Sequence, residues 1–364
     1  LQVAWVRITK ERKVQISRGV TVTVPARWLV ANYPGLTHVT LKEPDGELWI
    51  GLVTVKAPNA KAAIKQAWKI ARPGFALKAR QHTTPPAGSS GWDKVHQIVY
   101  QTPSSSRRVV VGLARGKAGT WYVSLMDGKI AAYGRRGAQL KTILASLDVP
   151  GVKRESWAGR KAAAFDAAKR KAFEAFLRKA QKQLGVVGVA VAVVENGKIT
   201  YQQGFGKRDA RKAAKVTPKT LFMIGSITKS FTSMMMAKLV DEKRFAWSTP
   251  ASTVYKKFGL GSAEATRKCT MAHTVCACTG LPRQDMEFLF QFKGATAEKR
   301  MKLLSTMKPT TGFGETFQYS NLLVAAGGYM AAHKAYPRLP LGRAFRRAIQ
   351  TRLFRPLGMR STTF

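Results

Sequence analysis

A serine hydroxyl and a lysine amine stand three residues apart at Ser226 and Lys229, where an apolar stretch begins that is typical of a helix. Residues at this spacing share one helix face, so the amine can reach the hydroxyl. A base within hydrogen-bonding reach is the minimum requirement for turning an alcohol into a nucleophile. The same template recurs at Ser305 and Lys308, and we interpret that second match as accidental. Alone, the first match also fits a capping serine with a surface lysine.

The predicted helix after Ser226 should hold the serine at its N-terminus and bury most of its length. Backbone N–H groups and the positive end of the helix dipole favour an oxyanion at that position. Four apolar residues then follow at helical spacing, namely Phe231, Met234, Met235 and Leu239.

A second group of reactive side chains lies at Tyr319 and Asn321, after a turn that contains Gly312 and Gly314. A phenol can relay a proton, and an amide can hold both a lysine and a substrate carbonyl. Because the two glycines leave the backbone free to bend, we expect Tyr319 and Asn321 to reach Ser226 from a separate helical subdomain.

From about residue 165 onward the chain resembles the serine β-lactamase and penicillin-binding-protein family. The likeness is greatest to its class C β-lactamases, D-Ala-D-Ala carboxypeptidases and related esterases. The motifs that carry it are Gly204-Phe205-Gly206, Thr217-Pro218, the Ser226 motif, His273 with Thr279-Gly280-Leu281-Pro282, Tyr319-Ser320-Asn321 and Pro356-Leu357-Gly358-Met359.

The resemblance implies a role for each of the four candidate site residues. Ser226 would be the acylated nucleophile, with Lys229 as its partner. Tyr319 would be the general base that takes the serine proton, and Asn321 would position the substrate. The expected site contains no metal, and no cofactor is expected.

The family's third motif, a Lys- or His-x-Gly on a strand beside the nucleophile, has no counterpart among these 364 residues. That strand also supplies one of two oxyanion-hole N–H groups, whose loss costs about 10²–10³ in rate. The sequence is therefore expected to be a fragment, one piece of a split protein, or a relative with impaired catalysis. Poor turnover by the chain as given follows from that expectation.

The whole chain is predicted to be α+β. Residues 1–150 are predicted to form a mainly antiparallel sheet with helices on one face, with no assigned role. Residues 151–168 are predicted to be a linker and helix start, and residues 169–364 a β-lactamase-like domain with a helical subdomain and an incomplete antiparallel sheet. The predicted N-terminal strands are Val20–Val24, His38–Leu41, Leu48–Val55, Val95–Tyr100, Val109–Leu113 and Thr120–Leu125, with helices at Ala60–Ile70 and Ala138–Leu147.

Two elements are predicted directly after the Asp148-Val149-Pro150-Gly151 boundary. One is a basic helix that ends near Gln183, with an apolar stripe that should pack in a core. The other is a hairpin of Gly188–Val194 and Lys198–Gly206, because Asn-Gly between apolar strands favours a two-residue turn.

The net charge is +43, from 62 Lys and Arg against 19 Asp and Glu. A field of this size attracts polyanions such as RNA, anionic lipid or a cell-wall polymer, although a solvated surface that serves solubility is the simpler interpretation. The longest apolar run is too short to cross a membrane, so no transmembrane segment is predicted. The family resemblance implies a periplasmic or otherwise exported protein, whereas the sequence itself leaves the compartment open.

The three cysteines and His273 are the side chains that a zinc cluster would use in this part of the sequence. Cys269, Cys276 and Cys278 near His273 match no standard zinc spacing, so ordinary core packing is favoured. Three other histidines have no partner that the sequence reveals, so an ordinary surface or core role is favoured for His38, His82 and His96.

Two functions of different class therefore remain open. The first is a serine hydrolase that acts through an acyl-enzyme on an amide or ester, such as a D-Ala-D-Ala peptide, a β-lactam or a small ester. The alternative is a catalytically impaired, highly basic scaffold that binds RNA or another polyanion.

Overall fold

The computed structural model describes residues 4–32, 37–85, 91–153, 156–283, 290 and 293–364. The chain forms two compact units. The first comprises Leu1–Glu155 and Phe231–Arg352, and the second comprises Ser156–Ser230 and Leu353–Phe364. The domain boundaries given above stay a prediction.

An antiparallel sheet of eight strands dominates the N-terminal part of the first unit, in the order β1-β4-β5-β6-β10-β9-β8-β7, and β2 and β3 form a separate ribbon. The strands are β1 (Val6–Arg7), β2 (Arg12–Ser17), β3 (Val20–Val24), β4 (Leu29–Asn32), β5 (His38–Lys42), β6 (Leu48–Lys56), β7 (Ala79–Thr83), β8 (Lys94–Tyr100), β9 (Arg108–Lys117) and β10 (Thr120–Lys129). Two helices accompany them, α1 (Ala60–Ala71) and α2 (Ile130–Ala145), with a 3-10 turn at Ser104–Ser106.

The central strand β6 is apolar on both faces. Successive side chains of a strand point to opposite sides, and apolar residues of β6 lie on each side. Val53 and Val55 join Trp68 of α1 in one buried cluster. Leu48 and Ile50 belong to a second cluster, which also contains residues of α2 and of the β2–β3 ribbon. The prediction of helices on one face was therefore wrong, because α1 packs in the cluster on one face of the sheet and α2 packs in the cluster on the other.

Helix α2 begins at Ile130, eight positions before the predicted start. Gly134 and Gly137 interrupt the apolar pattern there, and both are exposed on the helix surface. Arg136 between them is buried, and its guanidinium pairs with Glu43 and Asp45. The ion pairs of Arg136 therefore stabilise the first turns of α2, which the two glycines make unfavourable by local helix propensity.

The remainder of the first unit is helical. Helix α3 (Ala167–Leu184) belongs to the second unit, and α4 (Thr228–Asp241) begins there and continues into the first. The helices that follow are α5 (Ala251–Val254), α6 (Ala263–Lys268), α7 (Met271–Cys276), α8 (Ala297–Leu304), α9 (Asn321–Ala335) and α10 (Leu341–Ile349), and a π-helical turn at Gln350–Phe354 returns the chain to the second unit. Helix α9 is the centre of this part, because most of its side chains are buried and it contacts α5, α7, α8 and α10.

The second unit contains α3 (Ala167–Leu184) and a hairpin of β11 (Gly188–Glu195) and β12 (Lys198–Gly206). The predicted two-residue turn is confirmed, with φ of +51° at Asn196 and +74° at Gly197. Phe165 and Phe173 make edge-to-face contacts with Tyr201 of β12. These contacts give the hairpin and the helix a shared apolar seam.

Helix α3 differs from its prediction in two respects. It begins at Ala167, where Asp166 caps it by accepting a hydrogen bond from the Lys169 N–H. None of its eighteen residues, all of which the structure describes, is buried. Phe176 is 65% exposed and Leu184 is 76% exposed, so the expected core packing of the whole stripe was wrong. The aromatic contact between this helix and the hairpin is made by Phe173 with Tyr201, and Phe176 and Leu184 lie outside it.

Candidate active site

Ser226 lies in a 3-10 turn, Gly225–Ile227, that leads directly into α4. Gly225 has φ of +50°, a conformation that favours glycine, and it sets the direction in which the chain enters the turn. The Lys229 Nζ donates a hydrogen bond of 3.1 Å to the Ser226 Oγ. This distance is within the range for proton transfer between a nucleophile and a base.

The burial of α4 is one-sided. Met235 and Leu239 are fully buried, whereas Met234 is 49% exposed and Phe231 is half-buried. The expectation of a helix buried along most of its length was therefore wrong for the face that carries Met234. Ser226 itself is exposed and Lys229 is half-buried.

Tyr319 and Asn321 flank the N-terminus of α9. Ser320 is the N-cap, and its buried side chain accepts a hydrogen bond of 3.2 Å from the Leu323 N–H. Asn321 is the first residue of the helix, and the Arg283 guanidinium lies 5.1 Å from the centroid of the Tyr319 ring. The cap formed by Ser320 therefore fixes the backbone of the Tyr319-Ser320-Asn321 motif at the start of α9.

Gln318 anchors the chain just before this motif. It is 5% exposed, and its amide Nε2 donates to the Gly280 carbonyl at 3.2 Å and to the Thr311 Oγ1 at 2.8 Å. Its backbone N–H donates to the Ala277 carbonyl at 2.6 Å. Gln318 therefore joins two distant segments of the sequence, and the spacing of residues in neither segment predicts this contact.

The structure brings Ser226 and Lys229 together within the second unit, and it places Tyr319 and Asn321 at one helix end in the first unit. The approach of Tyr319 and Asn321 to Ser226 stays a prediction. At the second serine-lysine match, the Ser305 Oγ instead donates to the Lys302 carbonyl at 2.8 Å, at the end of α8. This local bond fits our interpretation of that match as accidental.

The cysteines only partly follow the expectation of core packing. Cys269 is a buried free thiol, and burial raises its pKa to about 12. Cys276 and Cys278 are instead joined by a disulfide, and Cys276 is exposed. In the bonded state these two sulfurs are not thiolate ligands, and no cluster of three potential metal-binding side chains occurs among the described residues.

A histidine pair in the N-terminal sheet was missed from the sequence. The His82 Nδ1 lies 3.3 Å from the His96 Nε2, and the His96 Nδ1 lies 3.0 Å from the Thr84 Oγ1. Burial is the main cause of a lowered pKa at His96, followed by the charge interactions with His82 and Lys61. The pairing of β7 with β8 creates this contact, and the sequence prediction did not include β7.

Helices long and apolar enough to cross a membrane are not found in the part of the chain that the structure describes.

Comparisons with known proteins agree on the C-terminal half. The sequence model of the Beta-lactamase family matches residues 173–364. The unguisins hydrolase ungD' of Aspergillus campestris (strain IBT 28561) is 32% identical over 184 residues, which are 49% of this chain and 33% of the relative. A beta-lactamase of Escherichia coli (strain K12) is 26% identical over 182 residues, which are 50% of this chain and 44% of the relative.

A similar solved structure is that of the octameric penicillin-binding protein homologue from Pyrococcus abyssi. It shares 24% identity, and the match covers 52% of this chain and 43% of that chain with a TM-score of 0.46. The chain spans only about a third of the length of the fungal relative, which it matches over 33%. Because the family model matches more than half of its residues, the chain belongs to the serine β-lactamase and penicillin-binding-protein family, a family of serine hydrolases.

Proposed function

We propose that this protein is a serine hydrolase that cleaves an amide or ester through an acyl-enzyme on Ser226. The substrate is one of three classes, a D-Ala-D-Ala peptide, a β-lactam or a small ester. The observation that carries the proposal is the 3.1 Å hydrogen bond between the Lys229 Nζ and the Ser226 Oγ at the start of α4. An amine held against a serine hydroxyl is the pairing that nucleophilic catalysis requires.

In the proposed reaction, the Ser226 Oγ attacks the substrate carbonyl while Lys229 and Tyr319 take up and relay its proton. The resulting oxyanion is favoured by the N-terminal end of α4, where backbone N–H groups and the helix dipole present positive charge. Collapse of the tetrahedral intermediate expels the amine or alcohol, which receives the proton. Asn321 holds the substrate carbonyl group, and a water molecule then releases the acyl group from Ser226 by the reverse sequence of proton transfers.

The names of the relatives support hydrolysis as the reaction, but they name different substrates. Two of the curated relatives are unguisins hydrolases and another is a beta-lactamase. One experiment should therefore compare the peptide, the β-lactam and the ester as substrates of this protein.

The experiment is covalent labelling of the 364-residue chain with a fluorescent fluorophosphonate and, separately, a fluorescent penicillin. We expect labelling of the wild type and of Ser305→Ala, the matched control at the second serine-lysine match, but not of Ser226→Ala. Competition by a D-Ala-D-Ala peptide or a small ester then ranks the substrate classes. Equal labelling of Ser226→Ala and the wild type would refute the proposal.

Contact with a polyanion is the second candidate, and the observation that favours it is the net charge of +43. Helix α10 alone carries Arg343, Arg346 and Arg347. Binding that is driven by phosphate contacts weakens steeply with salt, so the affinity for a fluorescent RNA should fall by about 10³-fold or more between 50 and 200 mM salt. An affinity that is unchanged over this range would exclude this second candidate.

A further inference from the structure

Cys276 and Cys278 lie at the end of α7, on either side of a single alanine. Their Cα atoms are 5.4 Å apart, which is within the usual range for a disulfide. Cys276 is exposed and Cys278 is half-buried, so small thiol reagents can reach the pair. Cys269, seven positions before Cys276, is fully buried and has no disulfide partner.

The residue between the two cysteines has an unusual backbone conformation. Ala277 has φ of +56°, a region that residues with a side chain seldom adopt. The disulfide closes a small ring around this residue and so opposes its relaxation to a more common conformation. Ala277 is also buried, with 8% of its surface exposed.

Backbone hydrogen bonds tie the disulfide ring to the segment that precedes Tyr319. The Gly314 N–H donates to the Cys278 carbonyl at 2.7 Å, and the Gln318 N–H donates to the Ala277 carbonyl at 2.6 Å. Both acceptors belong to residues of the ring. A change in the backbone at Ala277 must therefore displace or break the bonds that order residues 314–318.

We propose that Cys276 and Cys278 are a reversible thiol–disulfide modification site whose oxidation state sets the order of the segment that leads to Tyr319 and Asn321. With a small-molecule disulfide such as glutathione disulfide as oxidant, the Cys276 thiolate attacks one glutathione sulfur and releases one glutathione thiolate. The Cys278 thiolate then attacks the Cys276 sulfur of the mixed disulfide and releases the second glutathione. Two protein thiols are oxidised, one glutathione disulfide is reduced to two thiols, and the two protein protons pass to solvent or to the leaving thiolates.

Reduction removes the covalent bond that opposes relaxation of Ala277. The hydrogen bonds of Gly314 and Gln318 then hold the positive φ alone, so their amides should open to solvent more often. An effect of this change on the acylation of Ser226 would rest on the proposed function, whereas the thiol count and the amide exchange do not depend on it.

The first measurement counts thiols in the 364-residue chain after equilibration in glutathione buffers of increasing oxidised fraction. After acid quenching and maleimide alkylation, peptide mapping should show Cys276 and Cys278 losing their labels together, with a mass decrease of about 2 Da in the unalkylated protein. Cys269 should keep its thiol throughout, and Cys269→Ala should leave the transition unchanged. Thiols at Cys276 and Cys278 that stay fully alkylatable in the most oxidising buffer would overturn the proposal.

The second measurement compares hydrogen exchange in the oxidised and reduced wild-type protein. Peptides that contain Gly314 and Gln318 should exchange about tenfold faster after reduction, while peptides of α2 are unchanged. In Ala277→Gly the difference should shrink to about threefold or less, because glycine adopts a positive φ without the help of the bond. A disulfide that forms without any change in exchange at these two amides would show that the site has no influence on the segment.

Discussion

At the scale of single residues, the proposed chemistry depends on the contact between the Lys229 Nζ and the Ser226 Oγ at 3.1 Å. Three residues separate the two side chains along the chain, so one helical turn is sufficient to align them. The position of Gly225 at φ of +50° directs the chain into that turn. The hydrogen bond between the two side chains is therefore local, since it spans three residues of the chain.

Lys229→Ala should lower the rate of fluorophosphonate labelling at Ser226 by about 10²–10⁴-fold, because the serine loses its adjacent base. The rate is measured from the fluorescence of the labelled band against time. Lys308→Ala, at the second serine-lysine match, is the control and should label at the wild-type rate. A rate in Lys229→Ala within a factor of about two of the wild type would remove Lys229 from the proposed machinery.

Asp127 shows how a buried charge makes the sheet sensitive to pH. It is 6% exposed, and Arg72 and Arg108 both donate to its carboxylate. Burial acts to raise the pKa of Asp127, but the hydrogen bonds from Arg108 and Arg72 outweigh it, so the pKa is lowered. The stabilisation is thus present above the unfolded pKa of about 3.9 and is lost as pH falls through the lower folded value.

Asp127→Asn should cost about 1–3 kcal/mol at neutral pH, because it breaks a buried ion pair whose arginines are partly exposed. The readout is urea unfolding followed by tryptophan fluorescence, which reports mainly on the N-terminal part, where six of the eight tryptophans lie. The destabilisation relative to wild type should shrink as the pH falls below about 4. Asp241→Asn, at an exposed carboxylate, is the control, and a destabilisation of Asp127→Asn that does not change with pH would contradict this account.

At the scale of elements, two glycines lie in helices but have opposite surroundings. Comparing them distinguishes the effect of helix propensity on stability from the effect of side-chain packing. Gly137 of α2 is exposed, and an added Cβ would meet nothing within 4 Å. Gly327 of α9 is buried, and an added Cβ would clash with the Thr274 side chain, whose own Cβ would be 2.8 Å away. The same substitution therefore has opposite expected effects at the two positions.

Gly137→Ala should stabilise the protein by about 0.5–1 kcal/mol, because alanine loses less backbone entropy in a helix. Gly327→Ala should destabilise it by about 1–3 kcal/mol, because the methyl group overpacks the contact with Thr274. Denaturant midpoints of the two variants against wild type provide the check. Shifts in the same direction would mean that the packing around α9 is not as described.

The elements that the sequence predicts well are those whose signals are local. Asn196-Gly197 specifies its hairpin because both residues accept a positive φ. The start of α2 was missed because the ion pairs of Arg136 with Glu43 and Asp45 join positions about ninety residues apart. For the candidate site, the position of Ser226 relative to Lys229 follows from helical spacing, whereas the anchoring of Gln318 depends on long-range contacts.

At the scale of the whole molecule, the N-terminal sheet and the helical part that carries Tyr319 belong to one compact unit. Two arginines of the N-terminal part contact residues 310–315 of the helical part. Arg136 is 4% exposed and donates to the Thr310 carbonyl, and Arg27 pairs with Glu315 at 3.0 Å on the surface. These contacts connect a sheet of unassigned role to the segment that leads to the candidate site.

Arg136→Met should destabilise the protein by about 3–5 kcal/mol, because it leaves the fully buried Glu43 without its cationic partner. Arg27→Ala should cost less than about 1 kcal/mol, because its ion pair with Glu315 is exposed. Hydrogen exchange at residues 310–318 should rise more in Arg136→Met than in Arg27→Ala. Equal effects of the two substitutions would show that the buried arginine does not link the two parts.

The most direct measurement of the central claim is site-resolved mass spectrometry of the acylated protein. The 364-residue chain is mixed with a β-lactam or an activated ester, quenched in acid and digested, and the adduct is located by fragmentation. We predict a single acyl group on the Ser226 hydroxyl, present in Ser305→Ala and absent in Ser226→Ala. An adduct on another residue, or an equal yield of adduct in Ser226→Ala, would contradict the assignment of Ser226 as the nucleophile.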